Sequence, residues 1–175
     1  MKHFILAMTL LFIGTPNASD QQDKSDPSKT FAESLAASKS LKTFSKAMKL
    51  NAFELEFLKS GDVPFTIFAP SDSALAKIDK EAKSDKEKIE NTFLNRNEQC
   101  TLLHVFLGQK LTSKDLMAMA KNGKPLNNEW QFIERNLLSE KGGSVFIDGV
   151  KVTQPDILCK GGVIHVIDGA IKRTR

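Results

Sequence analysis

Four side chains beyond the first residues have the chemistry to cross-link, hold a metal or move a proton: Cys100, His104, Cys159 and His165. Cys100-x-x-x-His104 together with Cys159 and His165 has the composition of a Cys2His2 zinc site. The simpler pairing is a single Cys100–Cys159 disulfide, provided the chain enters an oxidising compartment. Closing a loop of that length would add about 4 kcal/mol in the chain-entropy model. Two separate thiols are the third alternative. Both histidines lie within apolar runs, Leu103–Leu107 and Val163–Ile167, that read as strands. A buried imidazole has to satisfy both ring nitrogens, so each is expected to bond to backbone or to an acid such as Asp72. On that ground we expect a disulfide and no metal. His165 and Asp168 stand three apart on one strand, which points them to opposite faces.

The motifs that usually announce an enzyme are missing. There is no Gly-x-Ser-x-Gly, no His-Glu-x-x-His and no glycine-rich phosphate loop after a strand. No residue is assigned a catalytic role and no cofactor is expected, although a hydrolase or metal-binding protein stays on the table as the remotest reading.

The elements that position these residues begin with an export signal. Lys2 precedes an apolar run from Phe4 to Ile13 broken only by Thr9, too short for the ~20 residues that span a bilayer. We expect residues 1–18 to be a signal peptide cleaved near Ala18 or Ser19, and the rest to be secreted or periplasmic with no integral membrane anchor. Residues 19–29 hold no apolar side chain after Ser19 and read as a flexible leader. Residues 30–175 then form one domain, expected to be a monomer. The 25 Lys and Arg include Lys2, so their excess over 21 Asp and Glu is too small to suggest nucleic acid.

Within the domain, Ala37, Leu41, Phe44 and Met48 recur at helical spacing, with Lys39, Lys42, Lys46 and Lys49 on the opposite face. Those lysines form a candidate surface for an anionic polymer. A short helix from Phe53 to Leu58 should end at Gly61. Phe65–Phe68 reads as a strand stopped by Ala69-Pro70, with Ser71 or Asp72 capping the helix that follows. Ile89, Phe93 and Leu94 mark another helix. Thr112 and Ser113, with Asp115, open one that Asn122-Gly123 closes. Trp130 alternates with polar neighbours and could edge a binding surface. Asp148-Gly149 suits a two-residue hairpin between Val145–Ile147 and Val150–Val152. Val163–Ile167, after the Lys160-Gly161-Gly162 turn, is apolar enough to be covered on both faces. Helices early and strands late give an α+β fold.

Three segments in this order resemble the fasciclin domain: Phe65-Thr66-Ile67-Phe68-Ala69-Pro70-Ser71-Asp72, then Leu102-Leu103-His104-Val105, then Gly162-Val163-Ile164-His165-Val166-Ile167-Asp168-Gly169. Asp156 stands where that family has an acidic residue before its last strand. The resemblance implies a β-wedge of about seven strands flanked by several helices, and a surface that binds a protein or glycan in adhesion, without catalysis. It also implies a mainly structural role for the motif residues Phe65, Thr66, Phe68, Ala69, Pro70, Asp72, His104, Asp156, Gly162, His165 and Asp168. The family's adhesive Tyr-His pair is incomplete, because Leu103 replaces the aromatic; Leu103 itself remains a possible contact. Gly161 takes the place of a usual Asn, and the Leu-Pro exit after the last strand is absent.

Overall fold

Thr30 opens the first helix with a capping box: its hydroxyl accepts from the Glu33 amide at 3.3 Å, and the Glu33 carboxylate accepts from the Thr30 amide at 2.8 Å. The computed structural model describes residues 23–50, 56–78, 80, 83–94, 101–127 and 135–172, so the expected signal peptide, Phe53, Cys100 and Trp130 lie outside the described residues. Helix α1, Phe31–Ala37, stops at Ser38, and α2 runs separately over Lys42–Leu50. The continuous stripe expected from Ala37 to Met48 is therefore two helices, with Ala37 exposed and Leu35, Leu41, Phe44, Ala47 and Met48 buried.

The break has an external cause. Asp72 accepts from the Lys42 amide at 3.1 Å and the Thr43 amide at 2.8 Å, capping α2 from 30 and 29 residues away. Its own amide donates to the Ser40 carbonyl at 2.7 Å. Helix α3, Phe57–Ser60, ends on left-handed Gly61 and leads to β1, Phe65–Pro70. Ser71, not Asp72, caps the next helix α4, Asp72–Ile78, by accepting from the Ala74 amide at 3.1 Å. Helix α5, Asp85–Ile89, passes into a π-turn over Glu90–Leu94 that seats the buried Phe93.

A 3-10 turn, Thr101–His104, precedes β2, Val105–Leu107; His104 thus ends a turn and is not inside a strand as expected. Helix α6, Ser113–Lys121, carries the expected capping box of Thr112 and Asp115. The remainder is β3, Leu126–Asn127; β4, Arg135–Asn136; β5, Leu138–Lys141; β6, Ser144–Ile147; β7, Val150–Cys159; and β8, Gly162–Ile167. Among the described residues these make eight strands where about seven were expected, six in one sheet ordered β2-β1-β8-β7-β6-β5 and two in a β3-β4 pair. Asp148 and Gly149, at φ 48 and 78, form the two-residue turn of the β6–β7 hairpin.

The centre of the sheet is parallel: β1 and β8 pair from Phe65↔Gly162 to Pro70↔Ile167. Every residue of both strands is buried, because each face is covered. On one face Phe65, Ile67, Ala69, Ile164 and Val166 meet Phe31, Leu35, Phe44, Met48 and Phe93 from the helices. On the other, Phe68 and Ile167 meet Leu116 of α6 and Leu138, Val145 and Ile147 of the hairpin strands. The fold is α+β, three layers with the central strands sandwiched.

Residues 23–29 depart from the expected flexible leader. They are bonded along β7, with the Asp26 amide donating to the Leu158 carbonyl at 3.0 Å and the Lys160 amide donating to the Lys29 carbonyl at 2.7 Å. The local composition offers no apolar anchor, so backbone and short polar side chains hold the segment instead.

Candidate functional site

The two histidines lie on opposite faces of the sheet and are both committed to backbone groups. His104 sits between Phe44 and Phe93, with ring centroids 5.8 and 5.6 Å away in edge-on contact. Its Nε2 accepts from the Ile171 amide at 3.0 Å, which requires the tautomer protonated at Nδ1. That bond ties the tail after β8 to the 3-10 turn. Neither histidine bonds to Asp72.

His165 stacks on Phe68 at 5.3 Å, on the α6 face. Its Nδ1 accepts from the Asp156 amide at 3.3 Å, so Nε2 carries the proton and donates to the Leu111 carbonyl at 2.8 Å. Burial pushes its pKa below the ordinary histidine value, against the Leu111 bond and the nearby Asp156 charge, which pull upward. Asp156 occupies a left-handed conformation, φ 61, where β7 shifts register around Pro155. The bulge turns its carboxylate towards α6, where it accepts from the Ser113 amide at 2.7 Å and from the Ser113 hydroxyl.

Ser113, Asp156 and His165 are the residue types of a hydrolytic triad, but their bonds run in the wrong order. The serine hydroxyl donates to the aspartate, and both imidazole nitrogens are occupied by main-chain groups, so no base is positioned to take a proton from Ser113. The cluster is joined from β1 as well. Thr66, fully buried, donates its hydroxyl to the Gln109 carbonyl at 2.9 Å and accepts from the Leu111 amide at 2.9 Å. Thr66, His165 and Asp156 therefore converge on a single segment, residues 109–113. Sequence reasoning missed Ser113 as a partner; its place beside the Thr112 cap was the one local signal.

The remaining expected residues are dispersed. Asp168 caps the β7–β8 end by accepting from the Lys151 amide at 2.9 Å, well apart from His165 in bonding. Leu103, considered a contact, is buried in the cluster that holds Phe68, Phe106 and Leu116. Lys42, Lys46 and Lys49 are exposed on α2, whereas Lys39 lies in the break before it.

Cys159 is a free, buried thiol in the helix-covered core, in place of the expected disulfide with Cys100. Burial pushes its pKa up to about 11. Its strand β7 is separated from β2 by β8 and β1. The two histidines that a Cys2His2 site would bring to one point are held apart, His104 against Phe44 on one face of the sheet and His165 against Phe68 on the other. No group of three His, Cys, Asp or Glu side chains suited to a metal occurs among the described residues.

A shallow cavity of about 170 Å³ lies between α6 and the hairpin strands, lined by Ser113, Leu116, Met117, Val145, Val152 and Pro155. Its lining is mainly apolar, with Ser113 and Ser144 as its hydroxyls, and holds no titratable side chain. No described helix is long and apolar enough to cross a membrane.

Comparison with known proteins agrees with this architecture. The family model described as the fasciclin domain matches residues 39–173. Human Stabilin-1 is 25% identical over 146 residues, which is 83% of this chain and 5% of Stabilin-1. The solved structure of a FAS1 domain pair from the insect cell adhesion molecule Fasciclin I superposes with a TM-score of 0.63 at 21% identity, covering 83% of this chain and 51% of that one. The chain thus spans a small part of Stabilin-1 and about half of the Fasciclin I pair.

Proposed function

The chain belongs to the fasciclin domain family, and from that membership we propose that it is an exported, non-catalytic binding module that makes adhesive contact with a protein or glycan at a cell envelope or host surface. Fasciclin domains serve as adhesion or protein-binding modules, and Fasciclin I is by its description a cell adhesion molecule. Export, with cleavage near Ala18 or Ser19 and release to the periplasm or the medium, is supported by Lys2 and the Phe4–Ile13 run.

The observation that carries the binding reading is the use made of the motif residues. Thr66, Asp156 and His165 all hold main-chain groups of residues 109–113. The chemically capable side chains thus stabilise a surface, and what is left to function is the surface itself. The test is retention of cells and of envelope glycans on the immobilised exported protein, at low and high salt, beside heat-denatured protein. Retention by the native form alone is the expected result; equal or no retention on both would overturn it.

A second reading, an anionic-polymer binder, is favoured by one observation: α2 carries exposed Lys42, Lys46 and Lys49 and no acidic residue. Charge-driven contacts of exposed lysines are screened by salt. Retention that collapses at high salt and is lost when these three and Lys39 are replaced by Gln would select this reading over the first.

A further inference from the structure

The family match begins at residue 39, yet the described residues bond to the domain from as early as Asp23. Leu158 pairs with Val163 in the β7–β8 ladder, but its own amide and carbonyl both turn to the N-terminal segment. Leu158 donates to Ser25 Oγ at 2.8 Å and accepts from the Asp26 amide at 3.0 Å. Residues 23–29 therefore occupy the edge of β7 opposite β8. On that side β6 pairs only with Val150 and Lys151, so from Gln154 to Lys160 this segment is the cover.

An uncovered edge of this length is a template for strand addition. Antiparallel pairing of β7 with β7 of a second copy would be self-complementary about a two-fold axis, which makes another copy of this chain the natural occupant. The segment does not extend the sheet outward. Asp26 to Lys29 close a turn, with the Lys29 amide donating to the Asp26 carbonyl at 3.1 Å. Pro27 has no amide to offer, and the Ser28 amide and hydroxyl both donate to Asp26 Oδ1, at 3.1 and 2.6 Å. Its donors are turned on itself, and the sheet stops there.

One carboxylate latches this cover to the body. Asp23 accepts from Ser38 Oγ at 2.6 Å, the Lys39 amide at 2.9 Å and Ser40 Oγ at 2.7 Å, in the break between α1 and α2. Its backbone is held from the other side by Gln154, which accepts from the Asp23 amide at 3.2 Å and donates to the Asp23 carbonyl at 2.8 Å. We propose that residues 23–29 are an edge guard, latched by Asp23, that keeps β7 from pairing with a second copy of the chain.

The test uses the exported chain carrying Asp23→Ala or, separately, Ser25→Ala, with residue-resolved amide hydrogen exchange and light scattering across a concentration series. In the unaltered protein the Leu158 and Lys160 amides should be protected and the protein monomeric. Asp23→Ala should speed exchange at Lys39, Leu158 and Lys160 by about tenfold or more. Exchange at Phe65, whose amide donates to the Gly161 carbonyl at 3.3 Å, should not change, and a concentration-dependent dimer should form. Ser25→Ala should open Leu158 more than Lys160, and it decides the matter if Asp23→Ala disturbs the whole fold. Unprotected edge amides in the unaltered protein, or edge amides that open in a variant that stays monomeric at every concentration, would overturn the proposal.

Discussion

Replacing Asp72 by Ala separates the architecture seen here from the local reading of the sequence. Both predict a lost helix cap, but of different helices. The Asp72 carboxylate accepts from two amides at the start of α2, Lys42 at 3.1 Å and Thr43 at 2.8 Å. Loss of such a cap costs about 0.5–2 kcal/mol, and loss of a negative charge at a helix N-terminus about 0.3–1 kcal/mol more. Asp72 is half-exposed, so water partly replaces it, and about 2 kcal/mol is the expected total. For a domain of this size that lowers Tm by roughly 4–8 °C. Asp72→Asn keeps an acceptor and loses only the charge, so it should cost about 0.5–1 kcal/mol. Thermal and urea unfolding followed by circular dichroism measures the cost, and amide exchange locates it. Lys42 and Thr43 should lose protection while Ala74, held by the Ser71 hydroxyl, keeps it. Ser71→Ala should give the mirror image. A loss under about 0.5 kcal/mol, or protection lost at Ala74 and kept at Thr43, would refute the cross-chain cap.

Three further outcomes follow from other sites. Because burial lowers the His165 pKa in the fold, the unfolded chain takes up this proton more readily; stability should fall as pH drops below about 6.5, by up to ~1.4 kcal/mol per unit until the native pKa is reached. His165→Gln should remove that share of the slope in urea midpoints measured against pH. Gly149 and Gly161 share φ near 77, at 78 and 77, but a Cβ on Gly149 would meet open space while one on Gly161 would lie 2.5 Å from the Gly61 carbonyl oxygen. Gly149→Ala should cost about 1 kcal/mol and Gly161→Ala about 2–4 kcal/mol in equilibrium unfolding; equal costs would deny the close approach. Cys159, buried with its pKa near 11, should resist alkylation in the native protein and label fully once denatured without reductant. Absence of label at that step would restore the disulfide.

Much of the fold was legible because it is written in short range. The Thr112 and Asp115 capping box, the Asp148-Gly149 hairpin and the doubly covered Val163–Ile167 strand each depend on residues within a few positions of one another, and each stands as read. The expectations that failed share a physical origin. The Ala37–Met48 stripe has an unbroken helical period, yet the chain stops and restarts because acceptors arrive from Asp23 and Asp72, distant in sequence. His104 has the neighbours of a strand residue, yet Ile171 and two phenylalanines hold it at the end of a 3-10 turn. Residues 23–29 have the composition of disorder, yet β7 offers them main-chain partners that composition does not record.

The sequence by itself determined the family and the α+β class, since these rest on the identities and local spacing of the motif residues. Tertiary structure alone decided which groups those residues meet. It set β1 and β8 side by side in parallel, 97 positions apart in register, and placed the two histidines on opposite faces. It also brought Thr66, Asp156 and His165 to one segment. Each depends on which strands become neighbours, a choice made by burying both faces of the central pair at once, and no single window of sequence contains the two faces that must be covered.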